Sequence, residues 1–200
     1  MNNYNFRNRD GSTPLDKEQL EGIKFSHVTL MRELDELEDE NIQRGLDWLR
    51  RNKSENYLSI EFLNELHKKL FGDVWKWAGV FRKKEVNLSN TRPHDIGPKL
   101  KNLFADVKIQ ITMKSMPWEE IVTEFHHKLV SIHPYPNGNG RVSRIMTEYL
   151  EKRNTQKVTS WMVSLKADPQ ERRKKYIESI RLADKGDYTL LKKFIEEKIS

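Results

Sequence analysis

Chemistry concentrates in residues 132–144, Ile132-His-Pro-Tyr-Pro-Asn-Gly-Asn-Gly-Arg-Val-Ser-Arg144. Gly138 and Gly140 free the backbone for φ > 0, so that consecutive N–H groups turn toward one point. The loop runs into a helix start near Arg141, where unpaired N–H groups and the helix dipole both favour an anion. No Gly-Lys-Ser/Thr follows, so this is not a Walker loop. Arg141 and Arg144, three residues apart, share a helix face. Two cations in a first turn oppose the dipole, which suggests a bound anion; a surface pairing of Arg144 with Glu148 is the alternative. His133 stands at the end of the preceding helix. Its imidazole, titrating near neutrality, suits the removal of a proton from a hydroxyl. His126 and His127, one to two turns back, read as packing or surface residues.

The elements that must position this segment are mostly helical. Leu30, Leu34, Leu37, Ile42, Leu46 and Leu49 recur at helical spacing over 29–51, opposite an acidic face of Asp35, Glu36, Asp39 and Glu40. A second helix is predicted over 60–71, capped by Ser59 and stopped by Gly72. From Trp75 to Gly97 the texture changes: partial alternation at Val80, Arg82, Val86 and Leu88, with Asn90, Pro93 and Gly97 as turn residues, predicts a short hairpin or exposed flap. Residues 98–113 look helical. Ser115 and Pro117 open a further helix whose face is Trp118, Ile121, Val122, Phe125, Leu129 and Ile132, broken by Pro134 and Pro136. Val142, Ile145, Met146 and Tyr149 form the packing face of the next, and residues 169–199 read as two helices joined at Gly186. The expected fold class is all-α with a small β-hairpin flap. The expected layout is an N-terminal arm over 1–28 and one helical domain over 29–200.

Composition narrows the functions. Apolar residues at 36% and five tryptophans support a packed core rather than disorder. The absence of cysteine excludes disulfides, thiolate catalysis and zinc–thiolate centres. The polar N-terminus shows no signal peptide and no run approaches a membrane helix, so a cytoplasmic protein without membrane contact is expected. The net charge of +6 suits a phosphate substrate; without a reader motif it does not make nucleic acid the favoured partner.

The segment resembles the signature of the Fic family (filamentation induced by cAMP), His-x-Phe-x-Asp/Glu-Gly-Asn-Gly-Arg-x-x-Arg. It matches at His133, Gly138, Asn139, Gly140, Arg141 and Arg144, with Tyr135 a conservative change and Asn137 a departure. Trp77-Ala-Gly-Val-Phe-Arg82 resembles the approach to the family's flap, and Arg181-Leu-Ala-Asp-Lys-Gly-Asp-Tyr188 its closing helices. The texture is most similar to the bacterial subgroup called mobile mystery protein B.

The resemblance implies a protein adenylyltransferase, moving AMP from ATP to a Ser, Thr or Tyr hydroxyl of a target protein. His133 would take the hydroxyl proton. Gly138, Asn139 and Gly140 would hold the α- and β-phosphates, Arg141 the phosphate chain and Arg144 the γ-phosphate, while Tyr135 would fix the loop in the core. Catalysis would be positioning plus charge stabilisation. Lys83, Lys84, Glu85, Val86, Asn87 and Leu88 would pin the target by strand addition. Mg²⁺ or Mn²⁺ would accompany ATP. Asn137, which stands where the family has the metal-holding carboxylate, implies weak metal affinity and slower or altered transfer. Thr29-Leu-Met-Arg-Glu33-Leu34 resembles the family's inhibitory helix, Ser/Thr-x-x-x-Glu-Gly/Asn, except at Leu34; Glu33 would pair with Arg144 and displace the γ-phosphate. The alternatives are a nucleotide-binding module with little turnover, or transfer of another phosphate-containing group. Self-association is compatible with a domain of this size.

Overall fold

The computed structural model describes residues 20–25, 31–86, 89–155 and 169–196. The first nineteen residues of the expected arm, Thr29, Leu30, Asn87 and Leu88 lie outside them. Among the described residues there are seven α-helices: α1 (Met31–Arg51), α2 (Ile60–Phe71), α3 (Ile96–Met113), α4 (Trp118–Ile132), α5 (Asn139–Thr155), α6 (Pro169–Ala183) and α7 (Thr189–Glu196), with a 3₁₀ turn at Pro93–Asp95 ahead of α3. The chain divides into two compact units, Met1–Lys83 with Pro134–Gly138, and Lys84–His133 with Asn139–Ser200.

The first unit is built on the packing of α1 against α2. Leu34, Ile42 and Leu49 are buried, as their helical spacing predicts. Leu63, Leu66, Leu70 and Phe71 are completely enclosed, each contributing about 1.5–3 kcal/mol of burial. Ser59 caps α2 as expected, its side chain accepting from the Phe62 N–H at 3.2 Å. Gly72 ends the helix with an ordinary right-handed φ of −72°. It must be glycine for a different reason: a Cβ there would stand 2.3 Å from the Lys68 carbonyl oxygen. Where α1 meets α2, a Cβ on Gly45 would fall 2.8 Å from the Lys69 carbonyl oxygen, so the two backbones touch. Asn41, one turn earlier on α1, donates to Lys69 O at 2.9 Å and accepts from the Asp73 N–H at 2.9 Å. The acidic reading of α1 has one exception, since Glu38 is buried and accepts from Trp75 Nε1 at 2.6 Å. Ile23, the buried centre of the described part of the arm, forms an isolated antiparallel bridge with Trp75.

In the second unit α3 and α5 pack on α4, and α7 packs on both α4 and α6. The expected face of α4 is the observed one: Ile121, Val122, Phe125, Leu129 and Ile132 are buried and Trp118 is half-buried. Val122 joins Tyr176, Ala183, Leu191 and Ile195 in a core shared with α6 and α7.

The hairpin expected around residues 83–90 does not form among the described residues. Lys83–Val86 and Ser89–Asn90 make bends and no ladder. The partners of nearby backbone and side-chain groups lie elsewhere: the Arg82 N–H donates to Pro134 O at 2.9 Å, and the Ser89 hydroxyl donates to Ser131 O at 2.6 Å. The strand-like alternation at Val80, Arg82 and Val86 thus has no paired edge behind it: Val80 is exposed, Arg82 buried and Val86 half-buried.

Candidate active site

His133 and Asn139–Arg144 belong to the second unit, and Pro134–Gly138 to the first. In the second unit, His133 terminates α4 in the left-handed region, at φ 52° and ψ 60°. A side chain there is uncommon and costs roughly 1–2 kcal/mol, a cost typically found at functional positions. The terminal carbonyls of α4 are partly satisfied by Ser89, whose Oγ lies 2.6 Å from Ser131 O and 3.2 Å from Ile132 O. Ser89 therefore secures the turn of helix from which His133 leaves.

α5 begins at Asn139, two residues before the expected start. Asn139 is buried at the opening of the helix. Gly140 lies inside the first turn, and the positive φ expected of it is not found; only Gly138 of the pair, at φ 78°, uses that freedom. Asn139 follows it directly into the helix, so of the two glycines only Gly138 serves the turn by a left-handed backbone. Arg141 keeps its place in the first turn, whereas Arg144 moves into the second.

Arg144 is half-buried, with its guanidinium carbon 5.2 Å from the centre of the Tyr176 ring. Burial draws its pKa below the ordinary value, Tyr176 opposes that shift and the neighbouring Arg141 charge adds to it. The guanidinium stays protonated regardless. Like charge and desolvation together are relieved by an anion at this spot. Behind Arg144, fully buried His126 places Nε2 2.9 Å from the Tyr176 hydroxyl and Nδ1 3.2 Å from Thr147 Oγ1. Burial first, then the Arg144 charge, push the His126 pKa down to about 3. Burial likewise raises the Tyr176 phenol. His127, also buried, places Nε2 2.8 Å from Asp184 Oδ1 and Nδ1 3.1 Å from the Tyr188 hydroxyl, joining α4 to the α6–α7 turn.

In the first unit, the loop Pro134–Gly138 is held at four points. The Arg82 N–H donates to Pro134 O. Tyr135 is fully enclosed, stacks on His67 with centroids 3.7 Å apart, and donates its hydroxyl to Asn64 Oδ1 at 2.8 Å. Asn64 thus satisfies the one polar atom that Tyr135 carries beyond a phenylalanine. The Asn137 carbonyl accepts from His67 Nε2 at 3.1 Å. Finally, Gly138 lies so close to α2 that a Cβ would fall 2.8 Å from Phe71 Cε2.

Asn137 turns its side-chain oxygen onto the Gly138 N–H, 2.6 Å away. Its one neutral oxygen is already engaged in shaping the loop. Among the described residues there is no group of three or more His, Asp or Glu able to hold a metal ion. These donors do not fit a resident divalent metal, which favours anionic oxygens.

Of the expected site residues, the second unit holds His133, Asn139, Gly140, Arg141 and Arg144, and the first holds Asn137 and Gly138. Glu33 lies in the first turn of α1, half-buried. Lys83, Lys84 and Glu85 are exposed and Val86 is half-buried. Sequence reasoning missed His67, Asn64, Ser89 and Tyr176. A usable signal existed for His67, a histidine falling within the Leu63–Leu66–Leu70 core stripe; Ser89 and Tyr176 carried none.

The Fic/DOC family profile matches residues 57–150. Protein adenylyltransferase Fic of Drosophila willistoni is 29% identical over 143 residues, covering 70% of this chain and 27% of that protein. Protein adenylyltransferase VbhT of Bartonella schoenbuchensis is 26% identical over 91 residues, covering 42% of this chain and 19% of that protein. The chain therefore spans only a minor part of the length of the curated relatives it matches. Among solved structures, BepC of Bartonella tribocorum with bound AMPPNP superposes with a TM-score of 0.68 at 19% identity, over 94% of this chain and 93% of that one. Fic-1 (aa134–508) from C. elegans gives 0.63 at 22% identity, over 78% of this chain and 46% of that one. The fold is shared with both. The profile match runs from Tyr57 through the histidine–glycine–arginine segment to Leu150, and over that stretch the chain is similar to the Fic/DOC family.

Proposed function

We propose that this chain is a protein adenylyltransferase that moves AMP from ATP to a Ser, Thr or Tyr hydroxyl of a protein target. The observation carrying this reading is the left-handed His133 at the end of α4, a short loop ahead of a helix start that bears Arg141 and Arg144. The names of the similar adenylyltransferases and the AMPPNP held by BepC support it. In the reaction His133 accepts the hydroxyl proton and the freed oxygen attacks the α-phosphorus. A new P–O bond to the target forms, the α–β bridging P–O bond breaks, and pyrophosphate leaves with that electron pair. Gly138, Asn139 and Gly140 offer backbone and amide donors to the α- and β-phosphates. Arg141 neutralises the phosphate chain and Arg144 the γ-phosphate. A divalent ion, Mg²⁺ or Mn²⁺, enters as the counter-ion of ATP, because Asn137 and its surroundings do not make a metal site of their own. Residues Lys83–Leu88 are the proposed contact for the target. The cytoplasm, where ATP is available, is the proposed setting.

The test is labelling with ATP carrying a radioactive α-phosphate. Wild-type protein labels itself or an added target, and His133→Asn, which tolerates the left-handed backbone, does not. Equal labelling by both proteins overturns the assignment of the base. We assign Glu33 the restraining role at Arg144; Glu33→Gln then raises labelling, and an unchanged rate removes the brake.

A second reading, a nucleotide-responsive module without turnover, is favoured by one observation: the Asn137 side chain is neutral and bonded to Gly138. Calorimetry finding ATP bound but never converted selects it.

A further inference from the structure

We propose that Tyr176 and His126 are positioning residues for Arg144: a hydrogen-bonded chain through three helices fixes the Tyr176 ring, and the guanidinium packed beside that ring is held toward the nucleotide. The inference rests on the functional reading only in naming the nucleotide as what Arg144 faces; the chain itself is argued from geometry within the second unit.

The direction of the chain follows from its fixed end. The Ser143 carbonyl can only accept, and Thr147 Oγ1 lies 2.8 Å from it, so the threonine proton is spent there. Thr147 Oγ1 then has only lone pairs to offer His126 Nδ1 at 3.2 Å, so Nδ1 carries the imidazole proton. The other ring nitrogen, Nε2, is left as an acceptor and takes the Tyr176 hydroxyl proton across 2.9 Å. With its proton committed to His126, the Tyr176 hydroxyl anchors a ring whose centre lies 5.2 Å from the Arg144 guanidinium carbon. The sense Tyr176 → His126 → Thr147 → Ser143 satisfies each partner in turn. Reversing the His126–Tyr176 link leaves the Tyr176 hydroxyl proton without this acceptor in a buried space, where an unmade hydrogen bond is costly.

The supporting shell is rigid. His126, Thr147 and Ser143 are fully enclosed, and Tyr176 is buried beneath α7 residues Leu191 and Ile195. Ser179 donates to the Tyr176 carbonyl at 2.7 Å and holds the local turn of α6. Arg144 thus packs beside an anchored ring, and that contact holds its guanidinium in place for phosphate. The alternative surface pairing of Arg144 with Glu148 is not needed to explain this placement.

Three measurements test the chain. Calorimetric titration with ATP compares wild type, Tyr176→Phe, Arg144→Ala and the double variant. Tyr176→Phe removes the hydroxyl that ties the ring to His126, freeing the ring beside Arg144, and is expected to weaken ATP binding by about tenfold or more. In the Arg144→Ala background the same change is expected to cost nothing further. AMP, lacking the outer phosphates, is expected to bind both single variants alike. An undiminished effect of Tyr176→Phe without Arg144, or no effect in its presence, overturns the proposal. His126→Gln, with an acceptor oxygen near the Nε2 position, is expected to retain more ATP affinity than His126→Asn; equal losses overturn the role of His126. Nitrogen NMR of the histidine rings needs no nucleotide. It is expected to find His126 neutral with the proton on Nδ1, and an Nε2–H tautomer overturns the directed chain. A protein that passes these tests yet never transfers AMP refutes the functional reading and leaves the chain standing. A wild-type protein that binds no nucleotide overturns both.

Discussion

His67 Nε2 lies 3.1 Å from the Asn137 carbonyl oxygen, while its Nδ1 receives the Gly79 N–H at 2.9 Å. A carbonyl can only accept and an amide N–H can only donate, so the ring is the neutral Nε2–H tautomer. One enclosed side chain of α2 thereby ties the turn at Gly79 to the loop that precedes Gly138. His67→Phe preserves stacking on Tyr135 but leaves both backbone groups without this partner. The expected cost is about 2–4 kcal/mol, measured by urea unfolding. A loss under about 1 kcal/mol would mean that the loop does not depend on the imidazole.

Gly138→Ala tests the tight seat of the same loop. A left-handed alanine costs roughly 1–2 kcal/mol. Its methyl would also press on Phe71, only 2.8 Å away in the unrelaxed geometry. Phe71→Leu in the alanine background is expected to recover the contact part alone, so the double variant should remain less stable than Phe71→Leu by the backbone part. Full recovery in thermal unfolding would refute the claim that backbone handedness fixes this position.

Asn137→Asp leaves an oxygen in place for the Gly138 N–H and strengthens that bond by charge. It also supplies the anionic oxygen that a hard cation prefers. We expect faster labelling from ATP in Mg²⁺, with the increase lost in chelator. If the aspartate variant labels no faster at saturating Mg²⁺, the neutral residue is not what limits transfer.

His126 gives stability a pH dependence of known sign. The folded ring stays neutral down to about pH 3, whereas the unfolded ring takes up a proton near its ordinary value of 6.5. Between these values the unfolded state holds more protons, so stability falls as pH drops through that window and its contribution flattens below it. The slope from this group is at most about 1.4 kcal/mol per pH unit. His126→Gln should flatten the stability–pH curve between pH 4 and 6, checked by urea midpoints. An unaltered slope would show that other groups carry the acid sensitivity.

The helices were legible because each hides one stripe. Leu34, Ile42 and Leu49, or Ile121, Phe125 and Leu129, repeat at 3.6-residue intervals, and Ser59 marked a boundary with its own side chain. The signature segment was legible through its residue types. Its backbone was less so: nothing in the composition tells that Gly138 alone makes the turn and that Gly140 sits in ordinary helix. The flap misled because alternation in a short stretch does not itself supply a pairing partner: Val80 is exposed while Arg82, two residues on, is buried. Least legible were the residues that hold the site. Ser89 reaches a carbonyl 42 positions away, and His67 one 70 positions away. Such pairings exist only once helices pack, and a single sequence carries no trace of them.

The glycine at position 45 has a mechanical consequence. Because a Cβ at position 45 would press on the Lys69 carbonyl and on Leu70, sliding α1 a full turn would bring Asn41 or Leu49 where only a hydrogen fits. The helix is keyed to its neighbour like a tooth in a ratchet, and moving it along its axis first requires lifting it away from α2.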